Sequence, residues 1–437
     1  MDLFPLPIFP PGGLSASVTT TVWIGVFVVA FFNLRFGWVF SGLVVPGYVI
    51  PLILLKPLAA CVVGIEGVLA YFCVWTVSEY CSRWGLWCNF FGRDRFFALV
   101  LASMVVRLVL DGWLLPEVGA WVSEHWQWEF DYRNNLHSFG LIIVALIANQ
   151  FWKPGLGRGL VYVSTHVGCT YLLVRYGLMA LTNFNIGRVE YLYEDMASSF
   201  LASPKAYVIV ITTAFLASRM NLLYGWDFNG ILIPSLLTLL WYEPLRILAS
   251  FVESAVILNA GVWALRTPWL KKTTIEGARK VLLFFNISFL YKLLLGYVAY
   301  WFWPEAKVTD MYGFGYLLPT LMAVKAHDKN ITIRLTRATI QVSIVAAIVA
   351  NVIGFGLTLL PLWWSHRGTI VATPIEDTIP STIPSLIDAI RKEQVTLKQQ
   401  RVPNSAIVPV PREMEIFAEG VRQLKTYVTS HQQSDLQ

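Results

Sequence analysis

The chain has 437 residues, 56% hydrophobic and only 14% charged, with a mean hydropathy of +0.59 and a formal net charge of +6. That balance excludes a soluble globular domain of this size. The basic residues sit in short segments between apolar runs, so the positive charge orients a membrane protein and is no nucleic-acid footprint.

Apolar runs of spanning length follow one another at 19–34, 58–77, 96–115, 159–181, 206–222, 245–265, 281–303 and 338–360. About 20 such residues cross the ~30 Å hydrocarbon layer. No basic region precedes the first run, so a cleaved signal peptide is not expected. Cys61, Cys73, Cys81, Cys88 and Cys169 lie in or beside apolar segments without metal-site spacing, and are expected to be packing residues.

Two apolar segments carry helix breakers: "FSGLVVPGYVI" (40–50) with Gly42, Pro46 and Gly47, and "FNGILIPSLLT" (228–238) with Gly230 and Pro234. They belong to a repeat. "NLRFGWVFSGLVVPG" (33–47) matches "NLLYGWDFNGILIPS" (221–235) at an offset of 188, with seven identities in fifteen positions. "KPLAACVVGIEG" (56–67) then pairs with "EPLRILASFVES" (243–254), and "GRDRFFALVLASMVVRLVL" (92–110) with "GARKVLLFFNISFLYKLLL" (277–295). "SFGLIIVALIA" (138–148) pairs with "GFGYLLPTLMA" (313–323). The order never changes, so one unit is present twice.

The organisation expected is an N-terminal segment (1–17), a first membrane repeat (18–185), a connecting loop (186–204), a second membrane repeat (205–362) and a polar C-terminal tail (363–437). The fold class expected is an all-α polytopic membrane protein with about 12 hydrophobic segments in two tandem parallel repeats, some helices being broken or short. Segments 80–95, 152–158, 266–280 and 325–337 hold fourteen Lys/Arg, against four in 117–137, 182–205 and 304–312. The first group is therefore expected on the cytoplasmic side. Equivalent loops then share a side, which makes the repeats parallel.

Residues 139–152, with Asn149, and 314–326, with Pro319, are short for a full crossing. Broken or short segments survive in a membrane where protein or a water-filled cavity satisfies the freed backbone. They often line the working site of repeated membrane folds, although a proline kink satisfied by neighbouring helices reads the same way. Glu66 and Glu253 lie midway along matching helices, and Arg107 and Lys292 midway along the next long helix of each half. An ionised group there costs ~2.5–3.5 kcal/mol, so Glu66–Arg107 and Glu253–Lys292 contacts are expected. Asp111, four residues after Arg107, is placed to share that cation, whereas the second half has Gly296. Such pairs either fix helix register or form part of a polar path. Asn149, Gln150, His166, Arg175, Asn286 and Asn351 are further polar residues in or near spans, of the kind that hydrogen-bond across helices.

No phosphate loop, His-Glu-x-x-His, Gly-x-Ser-x-Gly or Cys-x-x-Cys occurs, and "GLGRGL" (155–160) reads as a turn. No catalytic residue, cofactor or metal is expected. The tail balances eight Lys/Arg against eight Asp/Glu, and residues 385–400 and 413–428 read as short amphipathic helices.

"GLVVPGY" (42–48), "GRDRF" (92–96), "RLVLD" (107–111) and "VALIAN" (144–149), in that order, resemble the PgsC/CapC family, the membrane subunit of poly-gamma-glutamate synthases. The familiar subunit is about one repeat long, whereas this chain is a tandem pair with a tail. Its second copy reads "GILIPSL" at the first motif, and Pro319 supplies the proline that "VALIAN" lacks. The resemblance implies a non-catalytic, multi-pass subunit of a bacterial plasma membrane. It would anchor a cytoplasmic ATP-dependent amide ligase beside an outer-facing subunit and assist passage of an anionic polymer. The partners implied are membrane lipid, those two subunits and the polymer, with no nucleic acid. Basic loops carrying Lys271, Lys272, Arg279 and Lys280 suit an acidic product and equally satisfy the orientation rule. A secondary transporter for a small anionic solute is the alternative reading.

Overall fold

The computed structural model describes residues 5–10, 13–84, 90, 92–126, 142–186, 204–226, 230–302, 308–313 and 318–364. The connecting loop after residue 186 and both expected tail helices lie outside them. Residues Met1–Trp363 form one compact unit. Among the described residues it is helical, with a single isolated bridge, Leu6–Thr182.

Among the described residues, six helices of each half follow the repeat. The first has α1 Val18–Phe36, α2 Val45–Leu55, α3 Pro57–Trp75, α4 Gly92–Val109, α5 Val144–Trp152 and α6 Leu156–Leu172. The second has α7 Pro204–Tyr224, α8 Leu232–Leu239, α9 Pro244–Arg266, α10 Ala278–Phe302, α11 Leu318–Lys329 and α12 Thr332–Trp364. π-turns at Thr76–Tyr80, Leu110–Leu114 and Leu173–Leu178 prolong α3, α4 and α6. Among the described residues, seven helical stretches are long and apolar enough to cross a membrane: those of α1, α3, α4, α7, α9, α10 and α12. The protein is thus an all-α polytopic membrane protein. Of these twelve, the four shortest, α2, α5, α8 and α11, come in matching places, and they are the broken and short segments of the sequence.

The repeated residues explain where the breaks fall. Gly37 and Gly225 end α1 and α7 in the left-handed region, at φ of 67° and 65°. Only a residue without Cβ adopts that conformation cheaply. Gly42 and Gly230, at 61° and 67°, turn the chain again just before α2 and α8. Pro46, Pro234 and Pro319 then lie within the first three residues of their helices, where no backbone N–H is required for an internal hydrogen bond. The same chemistry separates α2 from α3 and α8 from α9: Lys56 and Glu243, each preceding a proline, leave the helical region at φ/ψ of −141°/77° and −133°/76°.

The unwound stretch returns alongside the helix it follows. Thr21 Oγ1 donates to Gly47 O at 2.8 Å, and a Cβ on Gly47 would lie 2.2 Å from Val22 Cα. So α2 starts beside the middle of α1, while residues 37–44 span the other part of the crossing without helix. Asn33 Nδ2 donates to Trp38 O at 2.5 Å, and its counterpart Asn221 Nδ2 to Gly230 O at 3.0 Å. These matching asparagines satisfy carbonyls that the broken helix leaves open.

The halves pack reciprocally. α1 lies on α10 of the other half, where Trp23 Nε1 donates to Asn286 Oδ1 at 2.9 Å and stacks on Phe289 at 4.2 Å. The equivalent pair, α7 on α4, joins Ser218 to Asp94 and Phe215 to Phe97. Exchange of equivalent helices is the pattern of a two-fold interface. Cys61 and Cys73 are not core residues but lie exposed on α3 as free thiols.

Candidate functional site: a buried ion pair at an interrupted crossing

Three elements of the second half converge on one carboxylate. Glu253, midway along α9, and Lys292, midway along α10, are each only 1% exposed, and Lys292 Nζ stands 3.3 Å from Glu253 Oε1. Ser288 Oγ, one turn before Lys292, donates to the same oxygen at 3.4 Å. The other oxygen accepts the backbone N–H of Gly313 at 2.8 Å. Gly313 is itself non-helical and precedes α11, so Glu253 serves freed backbone as well as the cation. An ionised group at the helix centre costs ~2.5–3.5 kcal/mol unless something compensates it; here the lysine and the freed N–H do so together.

Tyr312 completes the enclosure. Its hydroxyl donates to Lys292 O at 3.1 Å, and its ring lies 5.6 Å from Nζ, within cation–π range. The N-terminal segment covers this end: Gly296 closes on Pro10, and Gly13 approaches the Tyr312 hydroxyl. That segment is tied down by Phe9 N–H to Asn183 Oδ1 at 3.0 Å and by the Tyr297 hydroxyl to Ile8 O at 2.8 Å. Sequence reading missed Tyr312 and Gly313, because a contact made by unwound backbone has no periodicity to betray it.

In the first half Glu66 and Arg107 are buried on α3 and α4, which pack against each other, and neither is without a partner. Ser103, which matches Ser288, is buried there too, its hydroxyl turned back to Val100 O at 2.8 Å. Asp111 falls in the π-turn Leu110–Leu114, and its side chain lies outside the described residues. The short helix α5 runs parallel to α3, with Ile147 against Gly67 and Phe151 against Tyr71. Asn149 is half-buried, and Pro319 packs against Gly313 at the start of α11.

A second matched feature lies at the other breaks. A Cβ on Gly42 would fall 1.8 Å from Gln150 Nε2, and one on Gly230 would fall 2.8 Å from Lys325 Nζ. Gln150 and Lys325 are equivalent at the 175-residue offset that relates α5 to α11. Lys325, counted from sequence among the basic loop residues, is thus on a short helix facing the left-handed turn at Gly230. The offset itself was the signal that could have found it.

The family model for capsule biosynthesis CapC matches the chain twice, over residues 24–160 and 212–335, together more than half of its length. The two matches start 188 residues apart and end 175 apart, the offsets of the first and last repeated motifs. Neither the curated proteins nor the solved structures contain a match. With two copies of the unit, the same six-helix order in each and interrupted crossings at equivalent places, the chain is a membrane protein of the CapC capsule biosynthesis family, carrying the family unit twice in tandem.

Proposed function

We propose that this protein is the non-catalytic membrane subunit of a poly-gamma-glutamate-type capsule synthase, seated in a bacterial plasma membrane as a multi-pass protein. In this reading it anchors a cytoplasmic ATP-dependent amide ligase, meets an outer-facing subunit, and assists passage of the anionic polymer. The observation that carries it is the recurrence, in two CapC units, of a crossing interrupted midway beside buried charge. Backbone freed from helical bonding, together with charged side chains, suits a polar solute far better than it suits lipid. Purification from native membranes should recover an ATP-binding ligase in constant ratio to this chain. Recovery of the chain alone, with ligase activity fully soluble and unchanged, counts against the anchor.

One observation favours a second reading, a secondary transporter for a small anion: the short helices α2 and α8 each begin just after a left-handed glycine, Gly42 and Gly230, as at the breaks of transporters built on discontinuous helices. Proteoliposomes separate the two. Ion-coupled uptake of a small anion by the isolated protein supports the transporter, and its absence leaves the synthase subunit.

A further inference from the structure

We infer that the left-handed turn at Gly230 ahead of α8, faced by Lys325 from α11, is a carboxylate-binding site, and that the unwound stretch ahead of α2, faced by Gln150, is its neutral counterpart. The inference takes the identity of the polymer from the reading above, but the donor chemistry stands apart from it.

Lys325 Nζ approaches Gly230 so closely that an added Cβ would lie 2.8 Å away, so the ammonium rests against the broken backbone itself. Three other cations of this half are matched: Lys292 by Glu253, Lys280 by Asp328 and Arg246 by Glu243. Among the described residues no carboxylate pairs with Lys325. In the first half Gln150 is only 6% exposed, and its Nε2, directed at Gly42, makes no hydrogen bond among the described residues. His166, 2% exposed, lies 5.4 Å ring to ring from Trp38 in the same unwound stretch, and neither of its ring nitrogens is hydrogen-bonded among the described residues. A buried donor left open costs about 1–3 kcal/mol, so Gln150 at the first break calls for an acceptor from outside the fold, and Lys325, half-buried, occupies the equivalent place at the second. An ammonium selects an anion; an amide N–H selects a carbonyl or carboxylate oxygen. A γ-linked glutamyl chain offers both groups in every unit. Phosphate offers the anionic oxygens alone.

Binding to the full chain in lipid nanodiscs tests this with three probes: a γ-linked glutamyl oligomer, glutarate and inorganic phosphate. The oligomer is expected to bind at least tenfold more weakly to Lys325→Gln, within threefold of wild type to Lys325→Arg, and more tightly to Gln150→Lys. Asp227, three residues before Gly230 and outside the described residues, is the control for a structural counter-ion. Asp227→Asn should bind at least as tightly as wild type. Equal losses of thermal stability in Asp227→Asn and Lys325→Gln, with affinity unchanged, overturn the site. So does wild-type protein that binds none of the probes. Lys325-dependent binding of glutarate or phosphate, with none of the oligomer, keeps the site and removes the polymer reading. Oligomer binding that ignores both Lys325 and Gln150 keeps the polymer reading and removes the site. Should Lys325→Gln fail to fold, Lys325→Arg and Gln150→Lys decide by the same shifts.

Discussion

Glu253 shows how one residue couples charge burial to backbone geometry. Replacing Lys292 by Met leaves its carboxylate buried without a cation, which is expected to cost about 3–5 kcal/mol. Adding Glu253→Leu removes that charge, yet Gly313 then loses its acceptor, so the double variant should recover only part of the loss and stay about 1–3 kcal/mol below wild type. Thermal unfolding in detergent reads the series, and full recovery means that the Gly313 contact carries no weight. Gly313→Ala tests the same point sterically. Its Cβ would lie 2.8 Å from Glu253 Oε2 and 2.9 Å from Ser250 Cα, for an expected cost of about 1–3 kcal/mol. Gly64→Ala, with nothing within 4 Å, should stay within about 0.5 kcal/mol. The Glu253–Lys292 pair was legible in the sequence because both charges sit midway along apolar runs, where only mutual compensation is affordable. Tyr312 was not, since an aromatic in a membrane protein reads as packing wherever it lies.

The interrupted segments that look alike in sequence are not equally tight in the fold. In the first half Gly47 meets α1 backbone to backbone, and a Cβ on Gly25 would in turn lie 2.7 Å from Gly47 N. The second half has Thr213 and Ser235 at those two positions, and Ser235 is buried with its hydroxyl bonded to Ile231 O at 2.8 Å. Gly47→Ser should therefore separate α1 from α2 and cost about 3 kcal/mol or more, whereas Ser235→Gly should change stability by no more than about 1 kcal/mol. Accumulation in membranes and unfolding temperature would show it; equal effects in both halves would mean that the two contacts are alike. The positions of the breaks followed from Gly and Pro spacing. Their direction did not: that α2 begins beside the middle of α1 depends on the close approach of Gly25 and Gly47, and sequence alone cannot tell a packed glycine from a flexible one.

Over the whole molecule the repeat was the most readable feature, because seven identities at one offset exceed what shared hydrophobicity gives. The reciprocal packing was not, since the partners of α1 and α7 lie in the opposite half, more than 180 residues away for Trp23 and Asn286. That packing implies that the halves complete each other. Residues 1–203 and 204–437, expressed as separate chains, should co-purify from one membrane, and Trp23→Ala should weaken their association; two stable, independent halves would contradict it. The claim on which the functional account turns is that polymer passes by the unwound stretches. A photo-reactive residue in place of Ser41 or Ile231 tests it most directly, in native membranes supplied with ATP and radiolabelled glutamate. Label should become attached to the chain at both positions and not from Ile348, which is exposed on α12. Polymer made and exported at normal rate, with no label captured at Ser41 or Ile231, would contradict the account.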